Sequence, residues 1–286
     1  METKLYEVLK RASLFLEKNG AEPRVAELLL QHHLGLSRND FFMKMRESVD
    51  EKKLAAFQND LEIHAKTGVP VQHLIGTEEF YGRMFKVNGN VLIPRPETEE
   101  IVAEAVQLAK QRKKDSLRIV DVGTGSGIIA ITLALELPAA EVIAVDLSEK
   151  ALDVARENAA ELGANVRFMH GSFLEPLIKA GEKVDLIVSN PPYIPYDEKP
   201  HLSRTVTEFD PEMALFAENN GLASYEAIVQ QASTVLNSAG GIVFEIGHDQ
   251  GETVPAIIRE QFPDADVKTL QDINGKDRIV TMKKKD

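Results

Sequence analysis

A glycine-rich loop, Asp121-Val122-Gly123-Thr124-Gly125-Ser126-Gly127, lies between a predicted buried strand and a predicted helix. Glycine is favoured where the backbone turns sharply or lies close to a ligand. The dinucleotide-binding fingerprint needs a small residue three places after its second glycine, and Ile128 stands there instead. No Lys-Ser or Lys-Thr pair follows, so a phosphate-binding P-loop is excluded as well.

A carboxylate, Asp146, ends the next predicted strand, 19 residues beyond Gly127. From that position an acidic side chain accepts hydrogen bonds from ribose hydroxyls. Together, the loop and Asp146 resemble the S-adenosyl-L-methionine site of Rossmann-like methyltransferases. In that picture Asp121 lies near the methionine end of the cofactor, and Phe173, just past the third strand, flanks the adenine.

The tetrapeptide Asn190-Pro191-Pro192-Tyr193 follows the predicted strand Val184–Ser189. Two prolines fix the backbone and remove two N–H donors, so the carbonyls of Asn190 and Pro191 are free to accept hydrogen bonds. The Asn190 side-chain oxygen and the Pro191 carbonyl can each accept one hydrogen of a planar NH₂ group, on which Tyr193 can stack. The catalytic contribution we expect is orientation and electrostatic complementarity, without a general base. The acceptor is therefore a conjugated amino group, either a glutamine amide or an adenine.

Strands and helices alternate from Glu97 to the end of the chain, which predicts a mostly parallel sheet with helices on both faces. In such sheets ligands bind outside the carboxyl ends of the strands, where the loop, Asp146 and the tetrapeptide all fall. We predict an α/β fold with three parts: a helical N-terminal domain over residues 1–77, a β-hairpin connector over 78–96 and a Rossmann-like methyltransferase domain over 97–286.

Composition narrows the functional classes further. Residues 1–90 carry 13 basic and 13 acidic side chains, and the rest of the chain carries the whole net charge of −12. Proteins that bind nucleic-acid backbones usually show a basic excess, so direct nucleic-acid binding is not expected. The sequence has no cysteine, which excludes disulfides, zinc-thiolate sites and a cysteine nucleophile, and we predict no metal site. With no secretory signal and no clean apolar span, we expect a cytoplasmic protein that does not enter the membrane.

The whole chain resembles the HemK/PrmC family, the peptide chain release factor N5-glutamine methyltransferases. The resemblance is carried by the loop, Asp146 and the tetrapeptide, together with the segments Pro70–Gly76, Phe80–Gly82, Leu92–Glu99 and Phe209–Leu215. It departs from the family at His73, where Tyr is frequent, and at Ser172, where an acidic residue is frequent.

The resemblance implies methylation of the glutamine in the Gly-Gly-Gln motif of class I release factors, leaving S-adenosyl-L-homocysteine as product. It implies that the cofactor contacts Gly123–Gly127, Asp146, Phe173 and Asn190, and that the substrate contacts Asn190–Tyr193. The helical domain would help to hold the release factor, and we expect a monomer. Two alternatives stay open: a glutamine methyltransferase of a ribosomal protein, and an adenine-N6 methyltransferase of DNA or RNA. A module that binds the cofactor but has lost its activity is a third.

Overall fold

The computed structural model describes residues 3–112 and 116–285. By their internal contacts the residues form two compact units. The first runs to Thr77 and also includes Ser203–Phe209. The second consists of Glu78–Leu202 and the chain from Asp210 onward.

The first unit is helical. Its helices are α1 (Leu5–Lys18), α2 (Arg24–Leu34), α3 (Arg38–Met43), α4 (Glu51–Thr67), α5 (Val71–Ile75) and, from the later segment, α10 (Arg204–Phe209). Apolar side chains recur at helical spacing and form a buried core that includes Leu16, Leu29 and Phe57. Asp50 caps α4 by accepting the backbone N–H of Lys52 at 3.0 Å.

The rest of the chain contains eleven strands and most of the longer helices within the described residues. The strands are β1 (Thr77–Phe80), β2 (Arg83–Lys86), β3 (Arg118–Val122), β4 (Glu141–Asp146), β5 (Val166–His170), β6 (Val184–Ser189), β7 (Ile194–Pro195), β8 (Phe216–Ala217), β9 (Leu236–Glu245), β10 (Asp266–Gln271) and β11 (Asp277–Lys283). The helices are α6 (Thr98–Lys110), α7 (Ile128–Glu136), α8 (Glu149–Leu162), α9 (Glu175–Ala180), α11 (Glu212–Leu215), α12 (Glu218–Gly221), α13 (Ala223–Val235) and α14 (Thr253–Gln261), with a 3₁₀ helix at Tyr196–His201.

One seven-stranded sheet organises this unit, in the order β10-β11-β9-β6-β3-β4-β5. Strands β9, β6, β3, β4 and β5 run parallel to one another, whereas β11 runs antiparallel to both of its neighbours, β9 and β10. The mostly parallel sheet predicted from the alternation of elements is confirmed.

Helices cover both faces of the sheet because successive strand residues point to opposite sides. On β3, Ile119 belongs to the apolar core that includes α6 and α7, whereas Val120 belongs to the core that includes α13 and α14. The strand ends that carry the predicted site are thereby held between two packed layers.

The hairpin is shorter than the sequence suggests. Its two strands end at Lys86, and the Asn88-Gly89-Asn90 turn forms without flanking strands. Val87 and Val91 instead pack against Ala151 and Val154 of α8, so this segment lies on a helix rather than pairing with a strand.

The segment between β6 and α13 consists of short elements. It contains β7, the 3₁₀ helix, α10, α11, β8 and α12, each six residues long or shorter. Within α12, Asn219 and Asn220 have φ values of 55° and 54°, the left-handed region that asparagine tolerates better than most residues.

Candidate active site

The glycine loop is fixed to the end of the neighbouring strand. Gly123 and Thr124 donate their backbone N–H groups to the carbonyl of Val145 on β4, at 2.8 and 3.0 Å. Gly123, Gly125 and Gly127 have φ values of 73°, 55° and 84°, in a backbone region that residues other than glycine rarely adopt. The loop therefore leaves β3 in a shape that its glycines alone permit at low cost.

Gly127 also meets a steric limit. A Cβ atom there would lie 2.8 Å from Ile131 Cδ1 and 3.0 Å from Ala155 Cβ on α8. The preceding residue, Ser126, is buried, and its carbonyl accepts the side-chain N–H of Asn158 at 2.9 Å. Close packing against α8 thus fixes how near the loop backbone lies to that helix.

Asp121, at the end of β3, is fully buried beneath the loop. Its Oδ2 accepts the Thr124 hydroxyl at 2.6 Å and the Ala130 backbone N–H at 3.2 Å. Among the described residues, Oδ1 has no hydrogen-bond partner. Burial raises the pKa of Asp121 to about 7, against the opposing effect of those two hydrogen bonds. A cationic donor, such as the ammonium of an amino-acid ligand, would satisfy the free oxygen and favour the carboxylate.

Asp146, at the end of β4, closes the loop from the other side. Its Oδ2 accepts the N–H of Gly125 and its Oδ1 the N–H of Ser148, both at 2.8 Å. Burial raises the pKa of Asp146, and these backbone hydrogen bonds oppose the rise. Each carboxylate oxygen retains a lone pair, which fits the predicted acceptance of two ribose hydroxyls.

Phe173 lies two residues beyond Gly171, at the carboxyl end of β5, which pairs with β4. Its φ is 48°, an uncommon value for a bulky residue. The side chain packs against the core on the α13 and α14 face and is partly buried. Its backbone strain is the kind found at ligand sites, but its packing also satisfies a purely structural role.

The tetrapeptide follows β6, the strand beside β3 on the side opposite β4. Ser189 donates its hydroxyl to the carbonyl of Val122 at 2.6 Å, which joins the ends of β6 and β3. Asn190 is partly buried, and its Nδ2 donates to the Thr98 hydroxyl oxygen at 3.4 Å. The sheet thus brings the tetrapeptide to the same edge as the glycine loop and Asp146.

Tyr193 is fixed through its backbone. Its carbonyl accepts the side-chain N–H of Gln250 at 3.2 Å, and Gly221 lies so close that a Cβ there would overlap this carbonyl oxygen. Burial, followed by the nearby Glu245, raises the pKa of the Tyr193 hydroxyl to about 12. The phenol is therefore neutral at physiological pH.

Sequence reasoning missed three buried polar neighbours of the tetrapeptide: Thr98, Glu245 and Gln250. A signal was present for Glu245, because it is an acidic residue at the end of an apolar strand, as Asp121 and Asp146 are. Thr98 looks in sequence like an ordinary first residue of a helix, and Gln250 like a loop residue.

Comparisons with known proteins agree with this geometry. Residues 113–284 match a family model described as a methyltransferase domain, and residues 7–76 match the model of the PrmC N-terminal domain. The release factor glutamine methyltransferase of Bacillus subtilis is 47% identical over 278 residues, which cover 96% of this chain and 96% of that protein. The chain belongs to the release factor glutamine methyltransferase family.

A second member of the release factor glutamine methyltransferase family, from Staphylococcus aureus, is 41% identical and covers 97% of this chain and 98% of its own length. Among solved structures, the hMettl16 catalytic domain in complex with a 3′UTR hairpin has a TM-score of 0.52 at 14% identity, covering 83% of each chain. That likeness concerns the fold alone.

Membership confirms the predicted enzyme class, the Rossmann-like methyltransferase fold and the use of S-adenosyl-L-methionine. Across residues 3–112 and 116–285, no helix is both long and apolar enough to cross a bilayer.

Proposed function

We propose that the protein methylates the side-chain amide nitrogen of the glutamine in the Gly-Gly-Gln motif of class I release factors. The observation that carries the proposal is the placement of Asn190–Tyr193 at the carboxyl end of β6, beside the glycine loop after β3. In this arrangement the Asn190 side-chain oxygen and the Pro191 carbonyl bind the amide hydrogens, and Tyr193 packs on the amide plane.

The residues of the loop fit the cofactor. When bound, S-adenosyl-L-methionine supplies an electrophilic sulfonium methyl group. Asp146 would hold the ribose hydroxyls, the Gly123–Gly127 backbone would lie along the cofactor, and Asp121 would face its methionine end. Phe173 would flank the adenine. The free Oδ1 of Asp121 supports this assignment, because a buried acceptor without a partner costs stability until a donor arrives.

The acceptor nitrogen is a weak nucleophile, since its lone pair is delocalised into the amide. Two fixed acceptors at Asn190 and Pro191 orient the nitrogen and favour its pyramidal form in the transition state. The nitrogen becomes far more acidic after it gains the methyl group, so its proton leaves then. Tyr193 does not act as the base, because burial raises the pKa of its hydroxyl to about 12 and the hydroxyl is therefore protonated at physiological pH.

The remaining expectations belong to the same proposal. The helical unit helps to hold the release factor, and the protein acts as a cytoplasmic monomer without binding nucleic acid directly. The acidic balance of the chain beyond residue 90 supports a protein substrate over DNA or RNA.

The test is transfer of a labelled methyl group to four substrates: release factor, release factor with its loop glutamine replaced, ribosomal protein, and DNA. We expect label on the intact release factor alone. Label on ribosomal protein or DNA instead would overturn the substrate and keep the cofactor. Cofactor binding with no label anywhere would indicate an inactive module.

A further inference from the structure

Glu245 is a buried carboxylate next to the tetrapeptide that the mechanism above does not use. It ends β9, the strand beside β6, and is 3% exposed. Its Oε2 has no hydrogen-bond partner among the described residues. Burying an ionised carboxylate costs free energy unless hydrogen bonds or an opposite charge stabilise it. The groups around Glu245 therefore indicate its role.

The contacts of Glu245 lead to Asn190. Thr98, the first residue of α6, is 2% exposed, and its hydroxyl lies close enough to the Glu245 carboxylate to lower the pKa of that carboxyl. The Asn190 side chain also lowers the pKa of Glu245, and its Nδ2 donates to Thr98 Oγ1 at 3.4 Å. Strand pairing brings Asn190 and Glu245 together, because Ser189 of β6 lies opposite Phe244 of β9. The three side chains therefore form one polar cluster drawn from three separate parts of the chain.

The donors and acceptors available in this cluster allow one arrangement of its hydrogen bonds. An ionised carboxylate only accepts, and a threonine hydroxyl has a single hydrogen. Thr98 already accepts a hydrogen bond from Asn190, so its own hydrogen is left for the neighbouring Glu245 carboxylate. Both Thr98 and Glu245 then present acceptors towards Asn190. The Asn190 amide must then turn its NH₂ group to them, which leaves its Oδ1 directed away from the pair.

We propose that Glu245, through Thr98, is a positioning residue that fixes the Asn190 amide so that its oxygen accepts the substrate's NH₂ group. The inference rests on the proposed function, in which Asn190 Oδ1 is one of the two acceptors. A flipped Asn190 would offer hydrogens to an NH₂ group and would repel it.

The charge of Glu245 controls the arrangement. Burial raises the pKa of Glu245 to about 7, and Thr98, Arg278 of β11 and Asn190 favour the charged form. Glu97 disfavours the charged form of Glu245. The hydroxyls of Tyr193 and Tyr225 also interact electrostatically with Glu245. Once protonated, Glu245 can donate to Thr98, whose own hydrogen is then free for Asn190 Oδ1. Protonation of Glu245 at acidic pH therefore allows the Asn190 amide to adopt the flipped orientation.

The kinetic experiment compares wild type, Glu245→Gln, Thr98→Val and Thr98→Ser on intact release factor, with both substrates saturating. Thr98→Val keeps the shape of the side chain and removes the hydroxyl. We expect Thr98→Val and Glu245→Gln to lower kcat about 10–100-fold with little change in KM, the scale of a misplaced contact. Thr98→Ser should stay within about threefold of wild type, because it keeps the hydroxyl.

The pH profile separates positioning from simple destabilisation. Wild-type kcat should fall below about pH 7, and Glu245→Gln should lose this acid limb because it cannot titrate there. Asp121 also titrates near pH 7. Protonation of Asp121 should weaken cofactor binding. Because the cofactor is saturating in this experiment, that effect does not change kcat.

A readout without catalysis uses the side-chain NH₂ signals of Asn190 in ¹⁵N-labelled ligand-free protein, assigned by their loss in Asn190→Ala. These signals should shift with a midpoint near pH 7 in wild type and stay constant in Glu245→Gln. The positioning role is wrong if Asn190→Ala is inactive while Thr98→Val and Glu245→Gln keep wild-type kcat and pH profile. Full activity of Asn190→Ala would instead contradict the proposed function itself.

Discussion

Gly125 donates its backbone N–H to Asp146 Oδ2 at 2.8 Å, which joins the loop after β3 to the carboxylate that ends β4. The two ends lie side by side because β3 and β4 are parallel and in register, with Val122 opposite Val145. One carboxylate thus fixes the shape of the loop and keeps lone pairs for a ligand.

Asp146→Asn tests this double role. The amide keeps the shape of the side chain but loses the charge and one acceptor, so the Kd for S-adenosyl-L-methionine should rise about 10–100-fold, the scale of a hydrogen bond to a charged group. Titration calorimetry measures it. Asp153→Asn, on the exposed side of α8, is the matched control and should bind normally. An unchanged Kd in Asp146→Asn would show that the carboxylate does not contact the cofactor.

A second prediction concerns the support under Tyr193. Gly221→Ala places a methyl group against the Tyr193 carbonyl, whereas Gly163→Ala has nothing within 4 Å, and both glycines have positive φ. Both variants should lose roughly 1–2 kcal/mol of unfolding free energy from backbone strain. Only Gly221→Ala should also reduce kcat, by about tenfold or more, because it displaces the tetrapeptide. Equal kcat values in the two variants would mean that this contact does not position Tyr193.

The pH dependence of stability follows from Asp121. An unfolded aspartate has a pKa of 3.8, and in the folded protein burial raises this pKa to about 7. Between these values the folded protein holds a proton that the unfolded chain has released, so stability falls as the pH rises from about 4 to 7. The contribution of this one group is on the order of a few kcal/mol.

Urea unfolding of the ligand-free protein at about pH 5 and pH 7 measures this effect. Asp121→Asn, which cannot titrate, should lose less stability across the interval than wild type does. Glu245 contributes in the same direction in both proteins and therefore cancels in the comparison. Identical losses in wild type and variant would show that Asp121 is already ionised at pH 5.

The parts that the sequence predicts well are those whose signals are local. The helix Glu149–Leu162 begins after Ser148, whose hydroxyl oxygen accepts the Ala151 N–H, and ends at Gly163. The strand Val184–Ser189 is buried at every position and reads as an apolar run. Parallel pairing then places the predicted residues at one edge, since the carboxyl ends of parallel strands meet there.

The parts that the sequence does not predict depend on contacts between distant segments. Residues 194–221 fold into short pieces with little periodicity of their own, and Gly221 matters because it meets Tyr193. Thr98 becomes part of the site only because α6 brings it to Asn190, 92 positions further along the chain. Neither contact has a sequence pattern that could indicate it.

The central claim is that Asn190 holds the substrate amide, and the most direct measurement compares methyl transfer to intact release factor by wild type and Asn190→Ala. With both substrates saturating, we predict that kcat falls on the order of 10²–10³-fold, the effect of losing one aligned polar group in the transition state. The variant's melting temperature controls for loss of folding. A folded Asn190→Ala that turns over at the wild-type rate would contradict the account.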